Sequence, residues 1–555
     1  MGLIAPVLLL AACSSPPPQM SSHVSQQSGH VTPGTPKLST LVKNTYVSGP
    51  LSSKNLGPFM VDRFGRVVTL HGVNAVYKRA PYTLTVQPGQ PNSLAESDAA
   101  RIAKLGFNVV RVGVIWAGIE PGSGGPNQPQ VCNRGTPSDP HMWNQQVASS
   151  YIAQVAQVVR ELGLHHVYSL IDMHQDVWSS VFGGEGAPAW ATCTDGLPIP
   201  VTKGRWSDAY GERAEINAWN NFWNNDVVGG LQEQYQRAWA AVASAFRSNP
   251  WVVGYDPINE PSAMSNIVTT ETYEYSASLS CLYAGRSEPL YELDSKQRIS
   301  CPSQVPFTGL IKRIVTADPV HLVFPEVDNA TNPHTGHTLF IARTPTLPGT
   351  VYNFHDYCPY RSGVTGNPSN PAYCSEVETT PMVDNMNRRA LYATKSQPTG
   401  PAIMMTEFGA TNSYTLAALI TLDAENNGLS WAWWAWKYFD DPTGSSDEAI
   451  VTSDGSLSPS APALTGTYAM AIAGVPVDGL TVPLNGEYSL LYTSNPSIKA
   501  PTSIHLDPLR FNRYNYCVYA DGATITSRPN SRIVTLENTG PARLVGVRIV
   551  PGKCL

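Results

Sequence analysis

Two glutamates, Glu260 and Glu407, each stand directly after a short apolar run and before a residue that breaks a strand. The first run lies in residues 251–261, which end Asn-Glu-Pro, and the second lies in residues 402–409, which end Thr-Glu-Phe-Gly. A short apolar run indicates a buried strand, so both carboxyl groups are expected at strand ends. Two such groups can cleave a glycosidic bond, because one protonates the leaving oxygen while the other attacks the sugar.

Further residues that can assist this chemistry follow other apolar runs. The amide of Asn259 can bind a sugar hydroxyl, although an asparagine at this place can also cap a turn. The Tyr357 hydroxyl can hydrogen-bond the attacking carboxylate and stabilise its charge. His174 and His355 are expected to line the sugar site or to hold Glu260 in place, with a structural core role as the alternative.

Two more candidates lie within apolar runs. Trp436 ends the last run and can stack against the sugar at the cleaved bond; the alternative is a core position, because Trp431, Trp433 and Trp434 crowd the same run. Arg111 needs a carboxylate partner if its guanidinium is buried. No Cys/His cluster has zinc spacing, and the expected reaction requires neither a metal nor a cofactor.

The ordered set of motifs resembles glycoside hydrolase family 5, a retaining family with a TIM-barrel fold. The resemblance rests on Asn-Glu-Pro at 259–261 and Thr-Glu-Phe-Gly at 406–409. Three further motifs are similar to the endoglycoceramidases of that family, and the likeness runs from about residue 57 to the C-terminus. These motifs are His-Gly-Val-Asn-Ala-Val-Tyr-Lys at 71–78, Asp-Met-His-Gln-Asp at 172–176 and Trp-Lys-Tyr-Phe-Asp-Asp at 436–441.

The resemblance implies a role for each matching residue. Glu260 would be the general acid/base, and Glu407 would be the nucleophile with Arg111 as its partner. Lys78 and Asp176 match residues that contact the glycan in endoglycoceramidases; the alternative is a solvated charge or a mutual ion pair. Trp206 is similar in place to another glycan-contacting tryptophan of that group.

Apolar runs and helical patterns alternate along the first 450 residues, which predicts an α/β fold, a (β/α)8 TIM barrel over residues 57–450. The predicted strands span residues 69–76, 109–115, 167–173, 251–261, 321–327, 350–355, 402–406 and 429–436. The predicted helices span residues 94–105, 147–162, 233–246, 380–395 and 416–426. Ahead of them, residues 59–68 are typical of a hairpin that closes the bottom of the barrel.

Short alternating runs with turn residues predict a C-terminal antiparallel β-sandwich over residues 464–555. Its strands are expected at residues 488–493, 502–506, 514–520, 532–536 and 543–550. Residues 464–474 are similar to the segment that joins barrel and sandwich in endoglycoceramidases.

The N-terminal 56 residues have the composition of a targeting segment and a tether. Residues 1–13 contain an apolar run too short to span a bilayer, and Leu-Ala-Ala-Cys at its end resembles the bacterial lipobox. Residues 14–56 are rich in Ser and Pro and predict a solvated tether. We therefore expect an exported protein, either secreted or anchored to the cell surface and kept near a membrane by a lipid on Cys13.

The eight cysteines after Cys13 are an even number, which in an exported chain predicts disulfides. Pairing between neighbours in sequence is the simplest arrangement, and the first pair follows by elimination. The expected pairs are Cys132–Cys193, Cys281–Cys301, Cys358–Cys374 and Cys517–Cys554.

Composition limits the classes of function. The chain has 555 residues, of which 42% are hydrophobic and 14% charged, so it can bury a large core. The net charge of −6 without a long basic run argues against nucleic acid as a partner. The predicted function is a monomeric retaining endo-β-glycosidase that separates a glycan from a lipid aglycone of the ceramide type. Alternatives are an endo-β-glucanase or β-glucosidase acting on oligosaccharides, and a non-catalytic carbohydrate-binding lipoprotein.

Overall fold

The computed structural model describes most of the chain; several segments and most of the N-terminal 58 residues lie outside the description. The described residues are 25–26, 47, 49–52, 59–121, 143–199, 206–225, 227, 229–262, 271–288, 290–291, 298–326, 349–357, 402–426, 428–477, 486–509, 511, 516–552 and 554.

Eight parallel strands form a barrel, as the sequence predicts. They are β1 (His71–Ala75), β2 (Val109–Val114), β3 (Tyr168–Met173), β4 (Val252–Asp256), β5 (Leu322–Val323), β6 (Val351–Asp356), β7 (Ala402–Gly409) and β8 (Ser430–Trp434). Each strand pairs with the next from β1 to β5 and from β6 to β8, and β8 pairs with β1. Two isolated parallel bridges, Val323 with Thr350 and Glu326 with Asn353, join β5 to β6 and complete the ring.

Helices surround this ring, so the strands are buried on both faces. The longer helices are α1 (Glu96–Leu105), α2 (Gln145–Leu164), α3 (Arg213–Asn224), α4 (Leu231–Phe246), α5 (Glu271–Ala284), α6 (Leu310–Ala317) and α7 (Tyr414–Asn426). Shorter helical turns are Trp116–Ile119, Ser180–Phe182, Ala189–Ala191, Trp206–Gly211, Ser446–Glu448 and Ala461–Leu464. No prediction covered α3, α5 or α6, and the predicted helix at 380–395 lies outside the described residues.

Helix ends follow the chemistry of their residues. Asn144 caps α2, because its side-chain oxygen accepts the backbone N–H groups of Gln146 and Val147, each at 3.1 Å. Gly106 ends α1 in the left-handed region with φ of 99°. A β-carbon at this glycine would lie 2.3 Å from Nε2 of His505, so both the conformation and the space require glycine.

The C-terminal part forms two antiparallel sheets. Their strands are β9 (Tyr468–Ile472), β10 (Gly474–Pro476), β11 (Tyr488–Ser494), β12 (Thr502–His505), β13 (Tyr516–Asp521), β14 (Ala523–Ile525), β15 (Ile533–Asn538) and β16 (Leu544–Pro551). One sheet has the order β13-β16-β11-β10 and the other includes β14-β15-β12-β9. Alternate residues of β11 and β16 pack against β12 and β15 in one shared core, which confirms the predicted sandwich.

The N-terminal hairpin, Met60–Val61 and Val67–Val68, belongs to the sandwich as well as to the barrel. Val68 pairs with Ala471 of β9, so the hairpin extends the sheet of β9 and β12 to six strands. Met60 and Val68 also pack against the first residues of the barrel strands, as the predicted closing hairpin would. Residues 464–474, the expected joining segment, contain strand β9.

The N-terminal tether also contributes a short strand. Ser25 and Gln26 pair in antiparallel register with Ala520 and Tyr519 at the edge of β13. At these two residues the structure therefore differs from the predicted solvated tether. Among the described residues, no helix is long and apolar enough to cross a membrane.

Two of the four expected disulfides are present. Cys281 is bonded to Cys301, and Cys517 is bonded to Cys554. Cys193 also takes part in a disulfide. Cys132, Cys358 and Cys374 lie outside the described residues, so the two pairings that involve them stay predictions.

Candidate active site

The two predicted carboxyl groups reach the same end of the barrel by different local structures. Glu407 lies inside β7, which runs on to Gly409 instead of ending at residue 406. The pairing of β7 with β8 shifts register between Met405 and Phe408, and such an irregularity redirects a side chain. Strand β4 ends at Asp256, so Glu260 stands four residues beyond it, on a loop.

His355 brings the two carboxyl groups together. Its Nδ1 lies 2.8 Å from Oε1 of Glu260 and 3.7 Å from Oε1 of Glu407. These two oxygens are therefore separated by at most about 6.5 Å, the sum of 2.8 Å and 3.7 Å. Retaining glycosidases hold their two carboxyl groups about 5–5.5 Å apart, whereas inverting enzymes need about 6.5–9.5 Å. The largest separation possible between these two oxygens, about 6.5 Å, is therefore only as long as the shortest separation found in inverting enzymes.

Arg111 on β2 is the charged centre of the site and is completely buried. Its Nη1 donates to Oε2 of Glu407 at 2.8 Å, which is the partner that the family resemblance implies. Its Nη2 donates to Oδ2 of Asp256 at 2.8 Å and to Oδ1 of Asn259 at 2.7 Å. The guanidinium also lies 3.0 Å from Asp172, so three carboxyl groups share one fixed positive charge.

Glu407 accepts a second strong hydrogen bond from Tyr357. The phenol oxygen lies 2.6 Å from Oε1 of Glu407. Burial raises the pKa of Glu407 to about 7, while His355, Arg111 and the Tyr357 hydrogen bond act in the opposite direction. Burial lowers the pKa of His355 to about 3, which favours the neutral ring, and Nδ1 shares a hydrogen bond with Oε1 of Glu260.

Among the described residues, Glu260 has no cationic side chain within ion-pair distance, and its polar neighbour is the neutral ring of His355. Burial raises its pKa, and the charges of Arg111 and Lys78 only partly oppose this shift. Glu407 has the guanidinium and the phenol as donors, whereas Glu260 has only the neutral imidazole. These contacts favour the ionised form of Glu407 over that of Glu260, which is the asymmetry that a general acid and a nucleophile need.

Both polar atoms of the Asn259 side chain form hydrogen bonds. Its Oδ1 accepts from Arg111, and its Nδ2 donates to the backbone oxygen of Gln175 at 3.0 Å. Gln175 in turn donates through Nε2 to the backbone oxygens of Asn259 and Glu260, each at 2.9 Å. One N–H of the Asn259 amide remains for a ligand, so the predicted contact with a sugar hydroxyl stays a prediction.

His174 lies in a buried layer beneath an indole ring. Its Nδ1 is 2.6 Å from Oδ2 of Asp172, and its ring stacks on Trp434 with centroids 5.3 Å apart. Burial lowers its pKa well below the usual value, with the charge of Lys78 adding to the effect. The side-chain contacts of His174 within the described residues are with Asp172, Glu185 and Trp434, so its predicted place beside the sugar or Glu260 stays a prediction.

Lys78 and Asp176 form the mutual ion pair that the sequence left as an alternative to glycan contact. The Nζ of Lys78 lies 2.6 Å from Oδ2 of Asp176 and 3.0 Å from Oδ2 of Asp441, and it donates to Oγ1 of Thr443 at 2.7 Å. Burial lowers the pKa of Lys78, but Asp176 and Asp441 outweigh burial and raise it well above the usual value. The ammonium group also lies 4.3 Å from the centre of the Trp434 ring.

The prediction that Trp436 is a stacking platform is wrong, because this side chain is completely buried in the core. Its Nε1 donates to Oδ1 of Asp98 on α1, away from the two glutamates. Trp434, which ends β8, packs instead in one cluster with Tyr357 and donates through Nε1 to Glu448 at 2.9 Å. Trp206 is partly exposed on the turn Trp206–Gly211.

Comparison with known proteins identifies the family. The profile of the family described as Cellulase (glycosyl hydrolase family 5) matches residues 62–440. The chain belongs to glycosyl hydrolase family 5. This match confirms the family predicted from the motifs, and it covers the whole barrel with every site residue except Asp441, Thr443 and Glu448.

Within this family the chain is similar to endoglycoceramidases. It is 26% identical to endoglycoceramidase I of Rhodococcus hoagii (strain 103S) over 501 residues, which cover 87% of this chain and 86% of that protein. It is 30% identical to the endoglycoceramidase of Cyanea nozakii and 27% identical to that of Hydra vulgaris. Those two matches span 40% and 39% of the length of the respective relatives.

Solved structures share the fold of the chain. Endo-glycoceramidase II from Rhodococcus sp. in complex with ganglioside GM3 superposes with a TM-score of 0.65 at 21% identity, over 90% of this chain and 100% of that chain. Sterylglucosidase 1 of Cryptococcus neoformans superposes with a TM-score of 0.59 at 14% identity, over 94% of this chain and 100% of that chain.

Two buried acids of this family 5 site were not predicted from sequence. Glu326, beyond β5, accepts the backbone N–H of Glu260 at 2.8 Å. Glu185 lies with Oε1 3.8 Å from Nε2 of His174. Glu326 follows an apolar run and a proline, the same pattern that marks Glu260, and could have been found by it. Glu185 lies in a long loop, where no strand pattern points to it.

Two groups of side chains within the described residues have the donor types and spacing of a cation site. One comprises His174, Asp176 and Glu185, and the other comprises Glu260, Glu326 and His355. Most of their donor atoms already serve the hydrogen bonds and ion pairs given above. The expectation of a reaction without metal stays a prediction.

Proposed function

We propose that the protein is a retaining endo-β-glycosidase that hydrolyses the bond between a glycan and a lipid aglycone. The observation that carries this proposal is the pairing of Glu260 and Glu407 around His355, with Arg111 and Tyr357 holding only Glu407. This asymmetry gives one carboxyl group a proton to donate and leaves the other as a nucleophile.

In the first step, Glu407 attacks the anomeric carbon while Glu260 transfers its proton to the glycosidic oxygen. The bond between the anomeric carbon and the aglycone oxygen breaks, and the aglycone leaves as an alcohol. A glycosyl ester forms on Glu407, and Glu260 becomes a carboxylate. Arg111 and Tyr357 keep the attacking carboxylate oriented until the ester forms.

In the second step, water attacks the anomeric carbon from the side that the aglycone has left. Glu260 accepts a proton from this water, the ester bond to Glu407 breaks, and both carboxyl groups return to their starting protonation states. Two inversions at one carbon give net retention. No metal or cofactor enters either step.

Three observations support a glycolipid as the substrate. The named relatives are endoglycoceramidases, and one structural neighbour is described as a complex with ganglioside GM3. Lys78 and Asp176 lie at the positions that the endoglycoceramidase motifs imply for glycan contact. Trp434, whose ring lies 4.3 Å from Nζ of Lys78, is the aromatic side chain of this cluster, and aromatic rings are suited to stack on sugars. A β-glucan or a small β-glucoside is the second candidate, because the same pair of glutamates would cleave either.

We further propose an exported protein, with a lipid on Cys13 as one route to the membrane. The disulfides at Cys281–Cys301 and Cys517–Cys554 support an oxidising compartment. A monomer remains the expected state.

Replacement of Glu407 tests the proposal. We expect Glu407→Ser to lower kcat by at least about 1,000-fold while the unfolding temperature stays within a few degrees, because only the nucleophile is removed. Release of sugar from ganglioside GM3, glucosylceramide and a soluble β-glucan would be measured by chromatography. Glu96→Gln, a change at an exposed glutamate on α1, is the matched control.

Two outcomes would contradict the proposal in different ways. Undiminished hydrolysis by Glu407→Ser would remove Glu407 from the mechanism. If the enzyme releases sugar from the β-glucan but from neither lipid, the proposed mechanism stands and the proposed glycolipid substrate is wrong. The anomeric configuration of the first product, followed by proton NMR, separately tests retention.

A further inference from the structure

Glu326 is a third carboxyl group at the proposed catalytic pair. It follows Pro325 just beyond β5, and only 2% of its surface is exposed. Its Oε2 accepts the backbone N–H of Glu260 at 2.8 Å, and its Oε1 lies 3.5 Å from Nδ1 of His355. Glu326 thus faces both the backbone of Glu260 and the imidazole that contacts the Glu260 side chain.

Glu326 itself is held by neighbouring elements. Its backbone forms a parallel bridge with Asn353 on β6, two residues before His355. Its carbonyl oxygen accepts the hydroxyl of Tyr283 from α5 at 3.0 Å. Asn353 donates to the backbone oxygen of Phe324 at 2.8 Å, which fixes the segment that precedes Glu326. The acceptor oxygen therefore stands on a rigid part of the barrel.

The backbone of Glu260 needs such support. Its φ is 36°, in the left-handed region that a non-glycine residue adopts only at a cost in free energy. The surrounding structure has to hold this conformation, and it does so from both sides. Gln175 donates to the Glu260 carbonyl at 2.9 Å, and Glu326 accepts from the Glu260 N–H.

We propose that Glu326 is a positioning residue, which accepts the Glu260 N–H and thereby keeps the Glu260 carboxyl group aimed at the leaving oxygen. This inference rests on the proposed role of Glu260 as the acid/base. Burial, with Asp256 and Glu260 next to it, raises the pKa of Glu326 well above its usual value and so favours the uncharged form. A glutamine can therefore take over its task, because an amide oxygen accepts an N–H equally well.

Two substrates with different leaving groups distinguish a residue that positions the general acid from a residue that only stabilises the fold. A 2,4-dinitrophenolate leaves without a proton, whereas a 4-methylumbelliferyl group depends more on the general acid. We would compare kcat/KM for the two β-lactosides in the wild type, Glu326→Ala and Glu326→Gln. Because general acid catalysis contributes about 100- to 10,000-fold, Glu326→Ala should lose at least about 30-fold on the methylumbelliferyl substrate and less than about 5-fold on the dinitrophenyl substrate.

Glu326→Gln should stay within about 5-fold of the wild type on both substrates, since it keeps the hydrogen-bond acceptor. Equal losses on both substrates in a folded Glu326→Ala would overturn the positioning role. So would a Glu326→Gln variant as defective as Glu326→Ala, because the carboxyl group itself would then be required.

A crystal structure of Glu326→Ala provides a readout that does not depend on activity. Glu260 should leave the left-handed region in this variant, and an unchanged φ would overturn the inference. If the wild type cleaves neither lactoside nor any lipid-linked glycan, the proposed function fails. The backbone of Glu260 in the variant would then decide the role of Glu326 by itself.

Discussion

At the scale of single residues, burial and partners distinguish two glutamates that look alike in sequence. Both follow an apolar run and stand one or two residues before a strand breaker, so the sequence could place them near strand ends. The contacts of Glu407 with Arg111 and Tyr357 were expected, but the sequence could not show that neither donor reaches Glu260, because Arg111 lies on β2 and Tyr357 just beyond β6. That difference arises only when distant strands meet.

Trp434 and Trp436 show where reasoning from alternation fails. The sequence predicts a strand through residue 436, and the period of two then gives both tryptophans the same face. Strand β8 ends at Trp434, so the alternation stops before Trp436. The chain then carries Trp436 toward α1, where Asp98 accepts its N–H.

Separate substitutions of these two tryptophans test whether Trp434, and not Trp436, contacts the sugar. We expect Trp434→Ala to lower kcat/KM for 4-methylumbelliferyl β-lactoside about 10- to 100-fold, because loss of a stacking surface costs about 1.5–3 kcal/mol. Trp436→Phe keeps a buried ring and should leave kcat/KM within about 3-fold, with a small fall in the unfolding temperature. Similar losses of kcat/KM in both variants would contradict the assignment.

At the scale of elements, the eight barrel strands were predictable because most of them are short, largely apolar runs bounded by polar or breaker residues. The helices α3, α5 and α6 were missed for physical reasons. Helix α3 is rich in aromatic residues with weak helix preference, and α6 has only eight residues, which is too short for a clear period. These helices are stabilised by packing, which local sequence does not report.

The N-terminal hairpin offers a test at this scale. Arg66 is completely buried; it donates to Oδ2 of Asp62 within the hairpin and to the backbone oxygen of Pro501 in the sandwich, each at 2.8 Å. Arg66→Met should lower the free energy of unfolding by about 3–5 kcal/mol, because it leaves the buried Asp62 without its cation.

The exposed neighbour Arg63 supplies the control. Arg63→Met should change the free energy of unfolding by less than about 0.5 kcal/mol, since its side chain is solvated. Denaturant unfolding of both variants would measure the difference. Equal stability of the two variants would show that the Arg66 ion pair does not hold the hairpin.

At the scale of the whole molecule, barrel and sandwich meet in a layer of buried rings. His71 of β1 stacks between Trp431 of β8 and Tyr468 of β9, with centroids 4.3 Å and 3.8 Å away. His505 of β12 faces Gly106 at the end of α1. The sequence could predict two folded parts, but not this contact, because it joins residues more than 350 positions apart.

This layer should make the molecule sensitive to acid. Burial, with the charge of Arg532, lowers the pKa of His505 from 6.5 to about 4, whereas in the unfolded chain it stays near 6.5. The unfolded state therefore binds more protons between these values, so stability is full above about pH 6.5 and falls by about 3 kcal/mol as the pH drops to about 4.

Comparison with two variants isolates the contribution of His505. Urea unfolding between pH 7 and pH 4 should show a smaller loss of stability in His505→Gln than in the wild type. His165→Gln, a change at a partly exposed histidine, should retain the full loss. An identical pH dependence in the wild type and His505→Gln would exclude His505 as the source.

The pairing of the hairpin with β9 has a consequence for synthesis of the protein. Residues 60–68 leave the ribosome early, but their partner at 468–472 emerges some 400 residues later. Met60 and Val68 cover the end of the barrel at which the parallel strands begin. Until β9 is synthesised, the hairpin that contains them lacks its partner strand. A chain truncated after residue 440 would therefore contain both proposed catalytic glutamates but would leave the apolar N-terminal end of the barrel exposed. Such a surface favours aggregation with other nascent chains.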